Sequence, residues 1–168
     1  MTGPRDAATF CDEIRGRLVQ ALTLYCGSRQ VGEELAQEAL VRAWERWPKV
    51  GAMDAPEAWT FRVGMNLANS SFRRRRAERR ALARTGPPAG DASDPDVAGA
   101  AAVRAAVAAL PPRQRAVIIA RYFLDQSVDD TAALLGCAPG TVKATTSQAL
   151  VALRARGLVD DELPQEVR

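Results

Sequence analysis

The highest concentration of charged side chains in this sequence is a run of arginines between residues 62 and 84. The stretch holds eight arginines and one glutamate, so its charge is not neutralised within the segment. Guanidinium and amide side chains recur there at spacings of three and four, on one face of a predicted helix: Arg62, Asn66, Asn69 and Arg73. Such a face is typical of surfaces that contact the phosphates and bases of nucleic acid. A run of arginines is also compatible with a solvated helix end, so the rest of the chain must decide.

The sequence offers little for catalysis. It contains no histidine, which is the commonest general base and metal ligand, and no phosphate-loop, serine-nucleophile or paired-cysteine motif. Its cysteines, Cys11, Cys26 and Cys137, form no C-x-x-C pair and are expected to be core thiols. We therefore expect no enzyme, no catalytic residue, no metal site and no cofactor.

The composition favours helices. The chain has 168 residues, of which 47% are hydrophobic but only 5% aromatic, and its many Ala and Leu suit packed helices better than strands. We expect an all-α fold. No apolar run reaches the ~18 residues that a membrane span needs, and the N-terminus lacks the apolar centre of an export signal. A cytoplasmic protein without a membrane span is the expectation.

The N-terminal half has the periodicity of three helices. The first is predicted over 9–26, and the second over 30–47, with Trp44 on its apolar stripe and Pro48 as its stop. A loop from Lys49 to Ala55 follows, and the third helix begins at Pro56, where the missing N–H of proline costs nothing.

The helical periodicity is interrupted by a segment of breakers and acids, residues 85–96, which is predicted to be a flexible linker. The sequence thus predicts two small helical domains, each with its own modest core, over 1–84 and 97–157. An acidic C-terminal tail, 158–168, follows the second domain.

The second domain ends in the layout of a helix-turn-helix. Ser127 can cap one helix, with Asp130 three residues on, and Pro139 opens the next after a GCA turn. One face of that last helix is predicted to be buried: Val142, Thr146, Ala149, Leu150 and Leu153. The opposite face would enter the major groove, and its candidate DNA-contacting residues are Thr141, Lys143, Ala144, Ser147 and Gln148. An ordinary helical hairpin would show the same spacing, but the absence of acids between Pro139 and Arg156 favours DNA.

Three segments, in this order, resemble bacterial RNA polymerase sigma factors of the extracytoplasmic-function (ECF) type: GEELAQEALVRAWERW, PEAWTFRVGMNLANSSFRRRR and LPPRQRAVIIARYFLDQSVDDTAALLGCAPGTVKATTSQALVALR. The resemblance covers nearly the whole chain and is strongest to the short actinobacterial forms called the SigE family. It implies a subunit that binds core RNA polymerase and directs it to promoters. Residues 1–84 would then be sigma region 2 and residues 97–157 sigma region 4.

The resemblance also implies roles for residues. The residues implied to dock on the β′ clamp helices of core polymerase are Glu34, Gln37, Glu38 and Arg42. The β flap of the polymerase is a second implied contact. The resemblance assigns recognition and melting of the −10 element to the loop from Lys49 to Ala55 and to Arg62, Asn66, Asn69, Arg73 and Arg76. The helix-turn-helix is the implied reader of the −35 element. The expected partners are core polymerase and promoter DNA, with an anti-sigma factor as a third that the family allows, and the free chain is expected to be a monomer.

The recognition helix departs from the family pattern. It reads TVKATTSQAL where TVKSRTSRAL is common, so that Ala144, Thr145 and Gln148 replace a serine and two arginines. Whether this chain recognises the family's usual −35 sequence is therefore left open. Two other classes of function remain: a stand-alone dimeric helix-turn-helix regulator, which leaves the N-terminal half unexplained, and an adaptor held by protein contacts alone.

Overall fold

A computed structural model describes residues 6–82 and 98–157, apart from the side chains of Arg76 and Arg79 and those at positions 81, 82 and 98–100. The described part is all-α, as predicted, and contains no strand. Its helices are α1 Ala7–Cys26, α2 Arg29–Glu45, α3 Trp47–Val50, α4 Pro56–Leu82, α5 Ala98–Ala108, α6 Pro112–Ile118, α7 Val128–Leu135 and α8 Pro139–Arg154, with a π-helical segment over Ile119–Phe123. The predicted linker, 85–96, and the predicted acidic tail, 158–168, lie outside the described residues.

The helix ends follow local chemistry. The side chain of Asp6 accepts a hydrogen bond from the Thr9 amide at 2.7 Å, and Ser127 accepts one from the Asp130 amide at 3.0 Å. Each side chain thereby satisfies an amide that the first helical turn leaves unpaired. At the other end of α1, Gly27 adopts the left-handed conformation with φ 73° and its amide donates to the Thr23 carbonyl. The predicted start of α1, cap at Ser127 and start at Pro56 are confirmed to within a residue or two.

The α1–α2 hairpin packs closely because its interface is lined by small residues. Ala36, Ala39 and Ala43 of α2 are fully buried, and a Cβ added at Gly32 would lie 2.5 Å from the Thr23 hydroxyl. With alanines in the interface, larger side chains of α2 lie at its edges. The prediction that Trp44 belongs to the buried stripe is therefore wrong, since 55% of Trp44 is exposed.

The boundary after α2 also differs from the prediction. The helix ends at Glu45, three residues before Pro48, and Pro48 lies in the first turn of the short helix α3. Proline is tolerated there because first-turn amides have no intrahelical partner. The predicted loop from Lys49 to Ala55 is thus shortened to the segment between α3 and α4, residues 51–55.

The main hydrophobic core is shared between the first half of the chain, 6–82, and the second half, 98–157. Leu18, Leu22 and Phe61 of the first half belong to the same buried cluster as Ile119 and Leu134 of the second. Two smaller clusters lie within the second half, one around Leu110 and Leu153 and the other around Val117 and Val142. A further small cluster, around Phe10 and Ala43, lies within the first half. Each half thus has buried clusters of its own, and the shared cluster adds to them because the apolar face of α1 contacts both halves.

Candidate nucleic-acid interface

The polar face of α4 lies on the surface as predicted, with one exception. Arg62, Asn66 and Arg73 are exposed, and the Arg73 guanidinium donates to the Ser70 hydroxyl at 3.2 Å. Arg76 lies outside the described side chains, although its backbone continues the helix. The exposed side chains are available to a ligand that follows the helix, such as a phosphate backbone.

Asn69 is the exception, because it is half-buried. Its Oδ1 accepts a hydrogen bond of 2.6 Å from the hydroxyl of Tyr25 at the end of α1. Burial raises the pKa of the Tyr25 hydroxyl, although the nearby Arg115 charge opposes the shift, so the hydroxyl keeps its proton at neutral pH. Asn69 is thus held by the core, and the expectation of full exposure is wrong.

Arg74, which follows Arg73, has one acidic side chain within reach. Arg74 Nε lies 3.8 Å from Glu78 Oε1, and both side chains are well exposed. An exposed pair at this distance contributes little, on the order of a few tenths of a kcal/mol. Arg74 therefore presents its positive charge to solvent.

The helix-turn-helix is formed by α7, a turn at Gly136 with φ 65°, and α8. All five residues predicted to face inward on α8 are buried, and the Thr146 hydroxyl donates to the Val142 carbonyl at 2.8 Å. The five candidate DNA-contacting residues of α8 are all exposed: Thr141, Lys143, Ala144, Ser147 and Gln148. Sequence spacing thus predicted both faces of this helix.

A polar face on α2 carries the predicted polymerase-docking residues. Glu34, Gln37 and Glu38 are exposed, and the half-buried Arg42 donates from Nε to Glu38 Oε1 at 3.0 Å. Beside them, between α1 and α2, lies a surface cleft of about 780 Å³.

The apolar part of this face was not predicted from the sequence. Val41 is 44% exposed and Trp44 55% exposed, and both line the cleft together with Gln37. They follow Gln37 at spacings of four and seven, which place all three on one face of a helix. That spacing could have predicted the apolar face from the sequence, but the assignment of Trp44 to the buried stripe prevented this.

The two candidate DNA-binding faces lie opposite each other. Arg62, Asn66 and Asn69 of α4 line one wall of a cleft of about 480 Å³, and Thr141 and Thr145 of α8 line another. The turn before α8 also approaches Arg62, since a Cβ added at Gly136 would lie 2.8 Å from Arg62 Nη2.

Within 6–82 and 98–157, no three His, Cys, Asp or Glu residues are grouped so as to hold a metal ion. In the same ranges, no helix combines the length and apolar character that crossing a membrane requires.

Comparison with known proteins agrees with this arrangement of helices and faces. The Sigma-70 region 2 family matches residues 11–78, and the Sigma-70, region 4 family matches residues 100–153. The RNA polymerase sigma-E factor of Streptomyces avermitilis is 33% identical over 122 residues, which cover 73% of this chain and 68% of that protein. The ECF RNA polymerase sigma factor SigL of Mycobacterium tuberculosis is 35% identical over 135 residues, covering 76% of this chain and 75% of SigL.

A solved structure supports the same class. The sigma factor RpoE of Bartonella quintana, crystallised with the anti-sigma factor NepR, has a TM-score of 0.75 and 25% identity, covering 90% of this chain and 98% of that one. The matches to region 2 and region 4, in that order along the chain, define a sigma-type protein. The chain belongs to the ECF group of sigma-70 RNA polymerase sigma factors. Sigma factors are transcription initiation factors, and a stand-alone regulator is not favoured.

Proposed function

We propose that this sigma factor uses three separate faces to bring polymerase to promoters: α2 for core polymerase, α4 for the −10 element and α8 for the −35 element. The observation that carries the proposal is that region 2 and region 4 each present an exposed polar helical face, Arg62 to Arg73 on α4 and Thr141 to Gln148 on α8.

On α4, the arginines bind backbone phosphates, and the neighbouring amides contact bases. Phosphate contacts supply affinity and salt dependence without sequence information. Melting also needs a site for a base turned out of the stack, at a cost of about a few kcal/mol. The segment 51–55, exposed and adjacent to the start of α4, provides that site. We include Arg76 in this surface because it continues the series from Arg73.

On α8, the first turns of the helix enter the major groove. Thr141, Lys143, Ala144, Ser147 and Gln148 form its reading face, while the buried side of α8 fixes its orientation against α6 and α7. Because two of the family's usual arginines are replaced here, base reading by Gln148 takes a larger share of the −35 contact.

On α2, the polar residues Glu34, Gln37, Glu38 and Arg42 dock on the β′ clamp helices of core polymerase, and region 4 meets the β flap. The chain acts in the cytoplasm as a monomer until it binds polymerase, and it carries no catalytic residue. An anti-sigma factor is a further partner, because the RpoE relative was crystallised with one.

The test is run-off transcription with purified core polymerase on a pool of genomic promoters. We expect transcripts only when the chain is present, with start sites that share −10 and −35 motifs. Core polymerase that gains no promoter-dependent transcription from the chain would contradict the proposal.

A further inference from the structure

A buried hydroxyl group of the first half contacts the candidate DNA-binding face of α4. Tyr25, in the last turn of α1, is 1% exposed, and its hydroxyl donates to Asn69 Oδ1 at 2.6 Å. Both residues line the cleft that Arg62 and Asn66 also line. Tyr25 is thus outside the polar face of α4 but is bonded to one of its members.

Packing fixes the position of this hydroxyl. The Tyr25 ring belongs to the main hydrophobic core. Its centroid lies 6.1 Å from that of the Phe72 ring and 5.6 Å from the guanidinium carbon of Arg115. Because close-packed interiors leave no space for a second rotamer of a ring enclosed in this way, the hydroxyl at its end is a fixed donor for Asn69.

The direction of this hydrogen bond determines which end of the Asn69 amide is left for a ligand. An asparagine amide has an acceptor, Oδ1, and a donor group, Nδ2, which carries two hydrogens. If the amide were reversed, the hydrogen of the Tyr25 hydroxyl would have no acceptor in the described part of the chain. In the same part of the chain, no group accepts a hydrogen bond from Nδ2. Its hydrogens are therefore available to a ligand that enters the cleft.

A fixed donor discriminates between bases, whereas a freely rotating amide does not. Base edges present acceptors, such as O6 and N7 of guanine or O4 of thymine, and donors, such as the N4 amine of cytosine. A rotating amide can pair with either kind by turning over. An amide whose oxygen is already bonded can only donate, so a base that offers a donor at that place is left without a partner, which is costly.

We propose that Tyr25 is a positioning residue for promoter recognition: its hydroxyl orients Asn69 so that Nδ2 donates to an acceptor atom on a base of the −10 element. The proposal rests on the proposed function of α4. Tyr25, being buried, touches no DNA and acts only through Asn69.

Tyr25→Phe tests this, because it removes the hydroxyl and keeps the ring. Holoenzyme selects open complexes from a promoter pool randomised over both elements, and the ratio of the preferred base to the next measures discrimination at each position. We expect Tyr25→Phe to lower this ratio at one −10 position about two- to tenfold, the share of one hydrogen bond. The −35 motif and the salt dependence should not change, because no charge is altered. Tyr122→Phe, at the other tyrosine of the chain and 48% exposed, is the matched control and should select the parent motif.

A double-mutant cycle separates positioning from a structural role. If Tyr25 acts through Asn69, Tyr25→Phe has no further effect on the ratio in an Asn69→Ala background. Asn69→Asp gives a second test, since it keeps an acceptor for the Tyr25 hydroxyl but replaces the Nδ2 donor with an acceptor. We expect Asn69→Asp to change the preferred base at that position to one with a donor, such as the N4 amine of cytosine.

Three results would overturn the proposal: a Tyr25→Phe motif identical to the parent motif, equal effects of Tyr25→Phe with and without Asn69, or uniform weakening on all sequences, which would place Nδ2 on a phosphate. If Tyr25→Phe loses helix content by circular dichroism, Asn69→Asp decides, and an unchanged −10 motif for that variant overturns the proposal. A parent chain that gives no run-off transcripts fails the proposed function instead. A parent that transcribes while Tyr25→Phe keeps its motif fails the positioning role alone.

Discussion

Gln148 stands where the family pattern TVKSRTSRAL carries an arginine. It is exposed on the outward face of α8, one turn beyond Ala144. A glutamine amide can pair with the N6 and N7 edge of adenine, whereas arginine there favours guanine, and such a pair is worth about 1 to 3 kcal/mol of discrimination. We expect Gln148→Arg to shift one −35 position from A toward G without changing the −10 preference.

Selection of sites by holoenzyme from a randomised promoter pool measures this shift. Val151→Arg is the control, because it adds the same charge one turn further along the same exposed face. If Gln148 touches only a phosphate, both variants bind all sequences more tightly and the −35 motif stays unaltered. That outcome would exclude direct base reading by Gln148.

Cys26 shows how burial controls the chemistry of a single thiol. Burial raises its pKa from the ordinary value of 9.0 to about 11, although the nearby charges of Arg115 and Arg75 oppose the rise. At pH 8 the thiolate is therefore about a hundredfold scarcer than for an unperturbed cysteine. We expect a single-Cys26 chain to react with DTNB slowly, at a rate that keeps rising with pH past 9 toward 11.

The raised pKa of Cys26 also determines how the stability of the fold changes with pH. The folded state holds the Cys26 proton more tightly than the unfolded chain, so its contribution to stability is fully present below pH 9 and is lost as the pH rises through about 11. A Cys26→Ala variant should remove this part of the alkaline destabilisation in urea titrations. If the DTNB reaction rate of the single-Cys26 chain levels off near pH 9, the pKa of the Cys26 thiol is not raised.

At the scale of elements, α4 carries the face that we propose binds promoter phosphates. Its exposed Arg73 has one described hydrogen-bond partner, the Ser70 hydroxyl on the same helix, so its removal should leave the fold intact. We expect Arg73→Ala to weaken open-complex formation and to lower the slope of log K against log salt by roughly one unit, because one phosphate contact is lost. An unchanged slope for Arg73→Ala would remove this arginine from the DNA surface.

The α2 face supports a different prediction, because it combines polar and apolar side chains. Exposed tryptophans beside a cleft are frequent anchors of protein interfaces, and Trp44 lies on the same face as Gln37. We expect Trp44→Ala to weaken binding to core polymerase at least tenfold while preserving helicity. Met53→Ala, another exposed apolar residue but outside this face, should bind core as the parent does. Equal affinities for the two variants would move the docking surface away from α2.

These elements also show what local sequence could predict. Periodicity placed α1, α4 and both faces of α8 correctly, because amphipathic spacing and capping residues act within a few turns. It failed at Trp44 and Asn69, whose burial is decided by neighbours distant in sequence. The small alanines of α2 let it pack closely on α1, which leaves Trp44 at the edge of that interface. The Tyr25 hydroxyl holds Asn69 toward the core.

At the scale of the whole molecule, the shared core was beyond prediction for the same physical reason. Spacing shows that Leu22 and Leu134 are apolar-face residues, but it does not show that both belong to one cluster. The docked arrangement depends on long-range contacts, including the hydrogen bonds from Arg17 to the Leu124 carbonyl and from Arg115 to the Tyr25 carbonyl. It also means that the stability of one half depends on the other.

Unfolding can test that dependence. All three tryptophans, Trp44, Trp47 and Trp59, lie in the first half, so their fluorescence reports on that half alone. Leu134 lies in the second half but belongs to the shared core and is buried. We expect Leu134→Ala to cost about 2 to 4 kcal/mol and to move the urea midpoint of tryptophan fluorescence together with that of circular dichroism. Val151→Ala, at an exposed position of the second half, should move neither, and a fluorescence midpoint unmoved by Leu134→Ala would show that the first half is stable without the second.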